Sequence, residues 1–374
     1  MKLCRIPAVY MRGGTSKAVL FKDSDLPTGR AERDAIILSV MGAPDPNGRN
    51  LDGMGGGLSS LNKVCIVGPP TRDDADVDYT FVQLETASTA VDYGGNCGNM
   101  SSAIGPFAIE EGLVTCPPDG EASVRIHNTN TGKIIVARFP VVDGALAADG
   151  DMAIDGVAGT AAPIKLEFLD PGGARTGMLL PTGNAVDFLN IPGHGIEASL
   201  IDAANPCVFV RAADVGKSGV EPPQALEQDS AWLEEMEAIR CAASVAMGLT
   251  PDLAAARKLA SVPKVAMLSA PADGQLISGR TLPAGEVDLS VRMISMGQPH
   301  RAVPITGAIC LAVAARVPGS IAAQLCTRGE GPIRIGHASG TTVVDAELVD
   351  GAAVYGAVYR TARRLFEGRV AYRL

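Results

Sequence analysis

The sequence predicts an α+β protein built from two pseudo-repeated halves, each a sheet wrapped around its own central helix. Three observations carry this expectation. The segment Leu61–Pro70 (LNKVCIVGPP) is echoed 201 positions later by Val262–Pro271 (VPKVAMLSAP), which aligns Lys63 with Lys264. The runs Met100–Ile109 and Ala308–Ala315 are apolar on nearly every side and rich in small residues, and a helix without a polar face has to be surrounded. A chain of 374 residues is also too long for one ordinary core and suits two domains of comparable size.

Taken in order, Pro7–Arg12 reads as a strand that turns at Gly13-Gly14-Thr15-Ser16 into a second strand, Lys17–Phe21. The turn offers free N–H groups and hydroxyls, so it serves either as an anion cradle or as a plain hairpin turn. Asp34–Met41 reads as a helix closed by a Gly- and Pro-rich stretch. The glycine-rich loop Asp52–Ser60 follows, with Leu58 where a dinucleotide-binding loop needs glycine. Lys63 then stands at the mouth of the apolar strand Val64–Val67. Gly94-Gly95-Asn96-Cys97-Gly98-Asn99 is a tight loop opening the first apolar helix, which places Cys97 at a helix N-terminus. Unpaired N–H groups and the positive end of the helix dipole stabilise an anion there, either a thiolate or a bound carboxylate. After the helix, Val124–Asn128 and the strand Lys133–Phe139 resemble Ile333–His337 and Thr341–Leu348. The segment Gln298–Gly307 opens the second apolar helix as the counterpart of the cysteine loop. The halves are expected to join near residues 189–198, with residues 1–190 as the first repeat and 191–374 as the second. A pseudo-two-fold axis would let the helix N-termini carrying Cys97 and Thr306 face each other, with the active site in the cleft between the halves.

Composition narrows the partners. The formal charge of −9 argues against nucleic acid or an anionic membrane surface, both of which reward a basic face. Eight dispersed cysteines without a CxxC pair and four scattered histidines give neither zinc spacing nor a disulfide ladder, so no metal is expected. Dispersed thiols suit a reducing cytoplasm, and neither a secretory leader nor a membrane-spanning run is apparent. No stretch marks a subunit interface: a homodimer is open, and Trp232, in the charged stretch Asp229–Arg240, is either core or contact.

Two opposed helix N-termini form a polyanion site with few basic side chains, which reconciles an acidic protein with an acidic ligand. Candidate ligand contacts are Gly14, Thr15 and Ser16 of the first turn, Asn62, Asn96, Gly98, Asn99, Arg292, His300, Thr306 and Gly307. A lysine buried beside a positive helix end loses part of what stabilises its ammonium form, and Lys63 in that position would supply neutral amine as a general base. A carbon acid next to a carboxylate ionises to a doubly charged enolate, which preorganised N–H donors stabilise. With no flavin, nicotinamide or metal motif in view, the expected reaction is a cofactor-free proton shuttle at carbon: racemisation, double-bond migration or cis-trans isomerisation. The second half offers Thr306 where a two-base racemase wants an acid/base residue, and Cys310 lies a turn inside the helix. This asymmetry fits allylic isomerisation better than racemisation.

At these residues the chain resembles the methylaconitate cis-trans isomerase family, which includes oxalomesaconate tautomerases and methylitaconate isomerases and shares the diaminopimelate-epimerase-like fold. The resemblance rests on Arg5-Ile6-Pro7 with Met11-Arg12-Gly13-Gly14-Thr15-Ser16-Lys17, Asp52-Gly53-Met54-Gly55-Gly56, and Asn96-Cys97-Gly98-Asn99 with Gly105-Pro106-Phe107-Ala108. It continues through Leu180–Asn184 and Ser295-Met296-Gly297 to His300-Arg301-Ala302. It implies two barrel-like, mostly antiparallel halves that each enclose a helix, with a di- or tricarboxylate substrate between them and no cofactor. It also implies that Lys63 and Cys97, 34 residues apart, are the catalytic pair. The expected mechanism has Lys63 remove an allylic proton while N–H groups around Gly98-Asn99 and Thr306-Gly307 hold the dienolate. Return of the proton to the same carbon gives cis-trans exchange, and delivery to the far carbon with help from Cys97 gives a 1,3 shift. The rivals are a non-catalytic metabolite-binding protein, which would need neither a base nor a thiol, and a two-base amino-acid epimerase.

Overall fold

The computed structural model describes residues 3–373. The chain forms two compact units, Met1–Glu167 with Tyr359–Leu374, and Phe168–Val358. The junction therefore falls ahead of the expected one at residue 190. The last residues belong to the first unit, not to the second, because the C-terminal strand pairs along the N-terminal one.

In the first unit, β1 (Leu3–Gly13) and β2 (Ser16–Lys22) form an antiparallel hairpin in which Gly13 faces Ser16 across the turn. On its other edge β1 pairs antiparallel with the C-terminal strand Ala362–Arg373, from Leu3 opposite Arg373 to Gly13 opposite Ala362. The chain then crosses through α1 (Arg30–Met41) to β3 (Lys63–Gly68), which lies parallel to β2 with Lys63 beside Ala18. Antiparallel to β3 runs β4 (Val77–Leu84), and β5 (Val91–Asp92) folds back on its end. A second crossover through α2 (Gly98–Glu110) leads to β6 (Gly120–Asn128), parallel to β4, and to its antiparallel partner β7 (Lys133–Val142). The sheet is mostly antiparallel because hairpins build it, and parallel only where a helix carries the chain across.

Successive strand side chains point to opposite faces, which gives this sheet two cores. Val19, Phe21, Val64 and Ile66 pack with Ile36, Ile37, Val40 and Met41 of α1. The alternate positions face α2, whose residues Met100–Ile109 are all buried and which touches β1, β2, β3, β6, β7 and the C-terminal strand. The apolar, small-residue character of this helix is thus the condition for threading it through a sheet. Burial of Met100, Ile104 and Phe107 stabilises the arrangement by roughly 1.5–3 kcal/mol each.

The second unit repeats the plan. A hairpin of β8 (His194–Ala203) and β9 (Asn205–Arg211) is followed by α3 (Ser230–Ala246) and by β10 (Lys264–Ser269), parallel to β9 with Lys264 beside Cys207. Antiparallel β11 (Leu289–Ser295) leads through the buried helix α4 (Ile305–Ala314) to β12 (Ile333–His337), parallel to β11, and then to antiparallel β13 (Gly340–Val349). Lys63 and Lys264 thus open equivalent strands, as the sequence echo predicts. Trp232 is core: it is buried with Met236 and Ile239 of α3 against Val208 and Met267. Among the described residues no helix is long and apolar enough to cross a membrane.

Candidate active site

The strand register of the first unit places Lys63 directly opposite Gln83, so both side chains emerge on the face turned toward α2. Lys63 is 9% exposed, and its Nζ donates to Gln83 Oε1 at 2.5 Å. The Gln83 amide has one orientation open to it, because its Nε2 donates to the carbonyls of Ser59 (3.1 Å), Asn62 (2.9 Å) and Leu84 (3.2 Å). The oxygen is left to hold the lysine. The amine thus meets a neutral acceptor rather than a carboxylate, with the Phe81 ring centroid 5.0 Å away. An acidic partner there would favour the ammonium form and oppose its use as a base.

Two residues along from Lys63, on the same face, the Cys65 thiol is fully buried and contacts the Tyr79 hydroxyl at 3.9 Å. Burial, reinforced by the nearby Cys97, pushes the Cys65 thiol well up, and burial does the same to the Tyr79 phenol. Both stay protonated and inert at neutral pH. Because Lys63 and Cys97 both act electrostatically on Cys65, the expected catalytic pair shares one neighbourhood.

Cys97 is the N-cap of α2 and is partly exposed, and no side chain caps this helix end. Its carbonyl accepts from the Ser101 N–H (2.9 Å) and hydroxyl (3.1 Å), while Asn96 Oδ1 accepts from the same hydroxyl at 3.3 Å. The first N–H groups of the helix, from Gly98 onward, remain available to an anion. The Gly13–Ser16 turn packs against this end. A Cβ on Gly14, whose φ is +50°, would lie 2.2 Å from Asn99 Oδ1, and one on Gly13 would lie 2.6 Å from the Asn99 carbonyl. Asn99 Nδ2 donates to Thr15 Oγ1 at 3.2 Å, with Thr15 exposed and Ser16 buried behind it. Gly14, Thr15, Ser16, Asn96, Cys97, Gly98 and Asn99 are therefore brought together.

Arg360, which sequence reasoning missed, completes this group. It ends the strand Ala352–Arg360, is 9% exposed, and donates from Nε to Asn99 Oδ1 (3.2 Å) and from Nη1 to the Tyr359 carbonyl (2.8 Å). Burial pushes its guanidinium down to about 10, offset in part by Cys97, so it remains charged at neutral pH.

Other expected contacts are committed elsewhere. The buried Asn62 amide donates to the Gly56 carbonyl (2.6 Å) and to Thr86 Oγ1 (2.8 Å) and accepts from the Gly56 N–H (2.9 Å), so it fastens the glycine-rich loop. In the second unit, buried Arg292 donates to the carbonyls of Glu221 (2.7 Å), Val291 (2.9 Å) and Val220 (2.9 Å), which ties the loop ahead of α3 to β11. His300 is half-buried, and burial together with nearby Lys264 pushes its imidazole below the ordinary value, so it is neutral at pH 7. Lys264 Nζ donates to Ser295 Oγ at 2.7 Å, unlike its counterpart Lys63. Thr306 and Gly307 occupy the first turn of α4, which also lacks a side-chain cap. Cys310 is fully buried inside that helix, where burial and neighbouring Cys207 hold its thiol protonated. Among the described residues no cluster of three or more histidine, cysteine or acidic side chains is arranged to hold a metal ion.

Comparison with known proteins gives one consistent grouping. The model of the PrpF protein family matches residues 3–373. The 2-methyl-aconitate isomerase of Cupriavidus necator is 43% identical over 383 aligned positions, covering 98% of this chain and 96% of that protein. The 4-oxalomesaconate tautomerase of Pseudomonas putida is 40% identical over 372 positions, covering 98% and 96%. Among solved structures, that of a methylitaconate-delta-isomerase superposes with a TM-score of 0.92 at 42% identity, covering all of this chain and 96% of the other.

Proposed function

Because the chain belongs to the PrpF protein family, we propose that it is an isomerase of unsaturated di- and tricarboxylic acids that moves an allylic proton with Lys63. The observation that carries this reading is the Lys63–Gln83 pair. The amine is buried and held in one place by a neutral amide oxygen, and it acts on the buried Cys65 thiol as does Cys97, the partly exposed N-cap of α2.

In this reading the Lys63 amine takes a proton from the carbon adjacent to the double bond. The electron pair spreads over the allylic system into a carboxylate, whose growing charge is met by the N–H groups of Gly98 and Asn99 and by the dipole of α2. The ammonium then returns the proton. Delivery to the original carbon after bond rotation interconverts cis and trans acids, and delivery to the far carbon shifts the double bond. Where Cys97, partly exposed beside the same helix end, gives its thiol proton to the far carbon instead, the proton held by Lys63 passes to the thiolate through solvent and resets the pair. The amino-acid epimerase alternative lacks its second base, since Cys310 is buried and protonated.

The names of the relatives make methylaconitate, methylitaconate and oxalomesaconate the acids to test first. Each is incubated with purified protein and followed by proton NMR, with Lys63→Ala as the comparison. Loss of the base is expected to lower turnover by about 10²–10⁴-fold. Equal turnover in Lys63→Ala would overturn the lysine mechanism. Binding of all three acids without conversion by the wild type would point to a metabolite-binding protein.

A further inference from the structure

Three arginines of the described chain are buried, and in two of them every guanidinium nitrogen has a partner. Arg240 pairs with Glu237 at 2.6 Å and also donates to three carbonyls, and Arg292 spends its hydrogen bonds on three carbonyls. Arg360 differs. It donates once to the Asn99 amide oxygen and once to the Tyr359 carbonyl, and no carboxylate pairs with it among the described residues. Among the described residues nothing accepts from its Nη2 or from the second hydrogen of Nη1, and Nη2 is not sealed away from solvent. A buried charge without a counter-ion is destabilising, and a guanidinium in that state is a receptor for a planar anion.

The surroundings specify which anion. Arg360 touches Asn99 in the first turn of α2, it is close enough to Cys97 for the two to interact electrostatically, and its Cδ lies 3.2 Å from where a Cβ on Gly14 would stand. The uncapped N–H groups of α2 open onto the same place. Two independent features, an unpaired buried guanidinium and an uncapped helix N-terminus, thus converge beside the candidate catalytic cysteine.

We propose that Arg360 is the charged anchor for a substrate carboxylate, holding it against the N-terminus of α2 beside Cys97. This rests on the isomerase reading only for the identity of the ligand. Asn99 fixes the Nε edge, so the terminal Nη edge receives the carboxylate, and the helix N–H groups take what the arginine does not. With the carboxylate clamped there, the adjoining carbon is oriented for proton transfer and the carboxylate can accept enolate charge without reorganisation.

The test uses tricarballylate, a saturated tricarboxylate with no double bond to migrate, and reads its affinity by isothermal titration calorimetry on the full chain. Arg360→Met is expected to weaken binding roughly 10- to 100-fold, the worth of charge-assisted hydrogen bonds. Arg360→Lys keeps the charge but not the fork and is expected to lose about 10-fold. Circular dichroism and thermal unfolding check that each variant is folded, and Arg360→Lys carries the test if Arg360→Met is not. Wild-type affinity in both folded variants overturns the anchor, as does a wild-type protein with no affinity for tricarballylate. If no unsaturated acid is isomerised yet Arg360→Met still loses tricarballylate, the anchor stands and the isomerase reading falls. Isomerisation together with unchanged binding in the variants gives the reverse.

Discussion

Substituting Gly14 by alanine perturbs the candidate site through a single methyl group, and its consequences can be worked from the structure. The new Cβ would stand 2.2 Å from Asn99 Oδ1, 2.9 Å from its Cγ and 3.2 Å from Arg360 Cδ, at a residue whose φ is +50°. The left-handed backbone alone costs alanine about 1–2 kcal/mol. Restoring ordinary contact requires the Asn99 carboxamide to retreat by roughly 1 Å, and overpacking of this kind costs about 1–3 kcal/mol more. The combined destabilisation of roughly 2–5 kcal/mol lowers the melting temperature of the first unit by several degrees. Asn99 is hydrogen-bonded to both Thr15 and Arg360, so its retreat carries the proposed carboxylate anchor with it. A misplacement near 1 Å at a reacting site lowers the rate by about 10²-fold. The assay pairs thermal unfolding with isomerisation kinetics on Gly14→Ala and on Gly95→Ala, whose added Cβ would meet nothing within 4 Å. Gly95→Ala is expected to unfold within about 0.5 kcal/mol of the wild type. A Gly14→Ala protein with wild-type melting temperature and turnover would refute the argument that this turn holds Asn99 and Arg360 in place.

Two further outcomes are expected. Gln83→Leu removes the acceptor that holds the Lys63 amine and the donor that serves three carbonyls, so turnover falls about 10- to 100-fold while substrate affinity changes little; unchanged turnover would remove Gln83 from the mechanism. Asp288, in the second unit, is buried, which alone would raise its carboxyl, but hydrogen bonds from the Arg334 side chain and N–H with nearby Arg328 bring it below the ordinary value. A depressed folded-state value makes this stabilisation fully present above the unfolded value of about 4 and lost as pH falls below it. Asp288→Asn should therefore flatten the decline in melting temperature on acidification, and a decline as steep as in the wild type would show that other carboxyls govern it.

Much of this was legible in the sequence because it is written in local pattern. A helix apolar on all sides and opened by Asn-Cys-Gly-Asn marks both its burial and its N-terminal cysteine, and the echo of Lys63 at Lys264 marks equivalent strands. What escaped depends on pairing across distance. Gln83 looks like an ordinary strand residue until the antiparallel register sets it opposite Lys63; that register was the missing signal. Arg360 is 261 residues from Asn99 and precedes Ala362-Arg363-Arg364, so it reads as one of a run of solvated charges. The same long-range pairing hid the return of the C-terminal strand to β1 and so displaced the unit boundary. Arg292 and Asn62 show the converse. A polar residue beside an apolar strand suggests a ligand contact, but buried backbone carbonyls and loops need donors too, and here they take them.

The central claim is that Lys63 moves a proton at carbon, and solvent deuterium reports this most directly. In deuterated water, with whichever of methylaconitate, methylitaconate or oxalomesaconate reacts, the account predicts deuterium entering the allylic position during isomerisation, as the Lys63 ammonium exchanges with solvent, and no such entry with Lys63→Met. Isomerisation that proceeds in Lys63→Met with undiminished deuterium entry would contradict it.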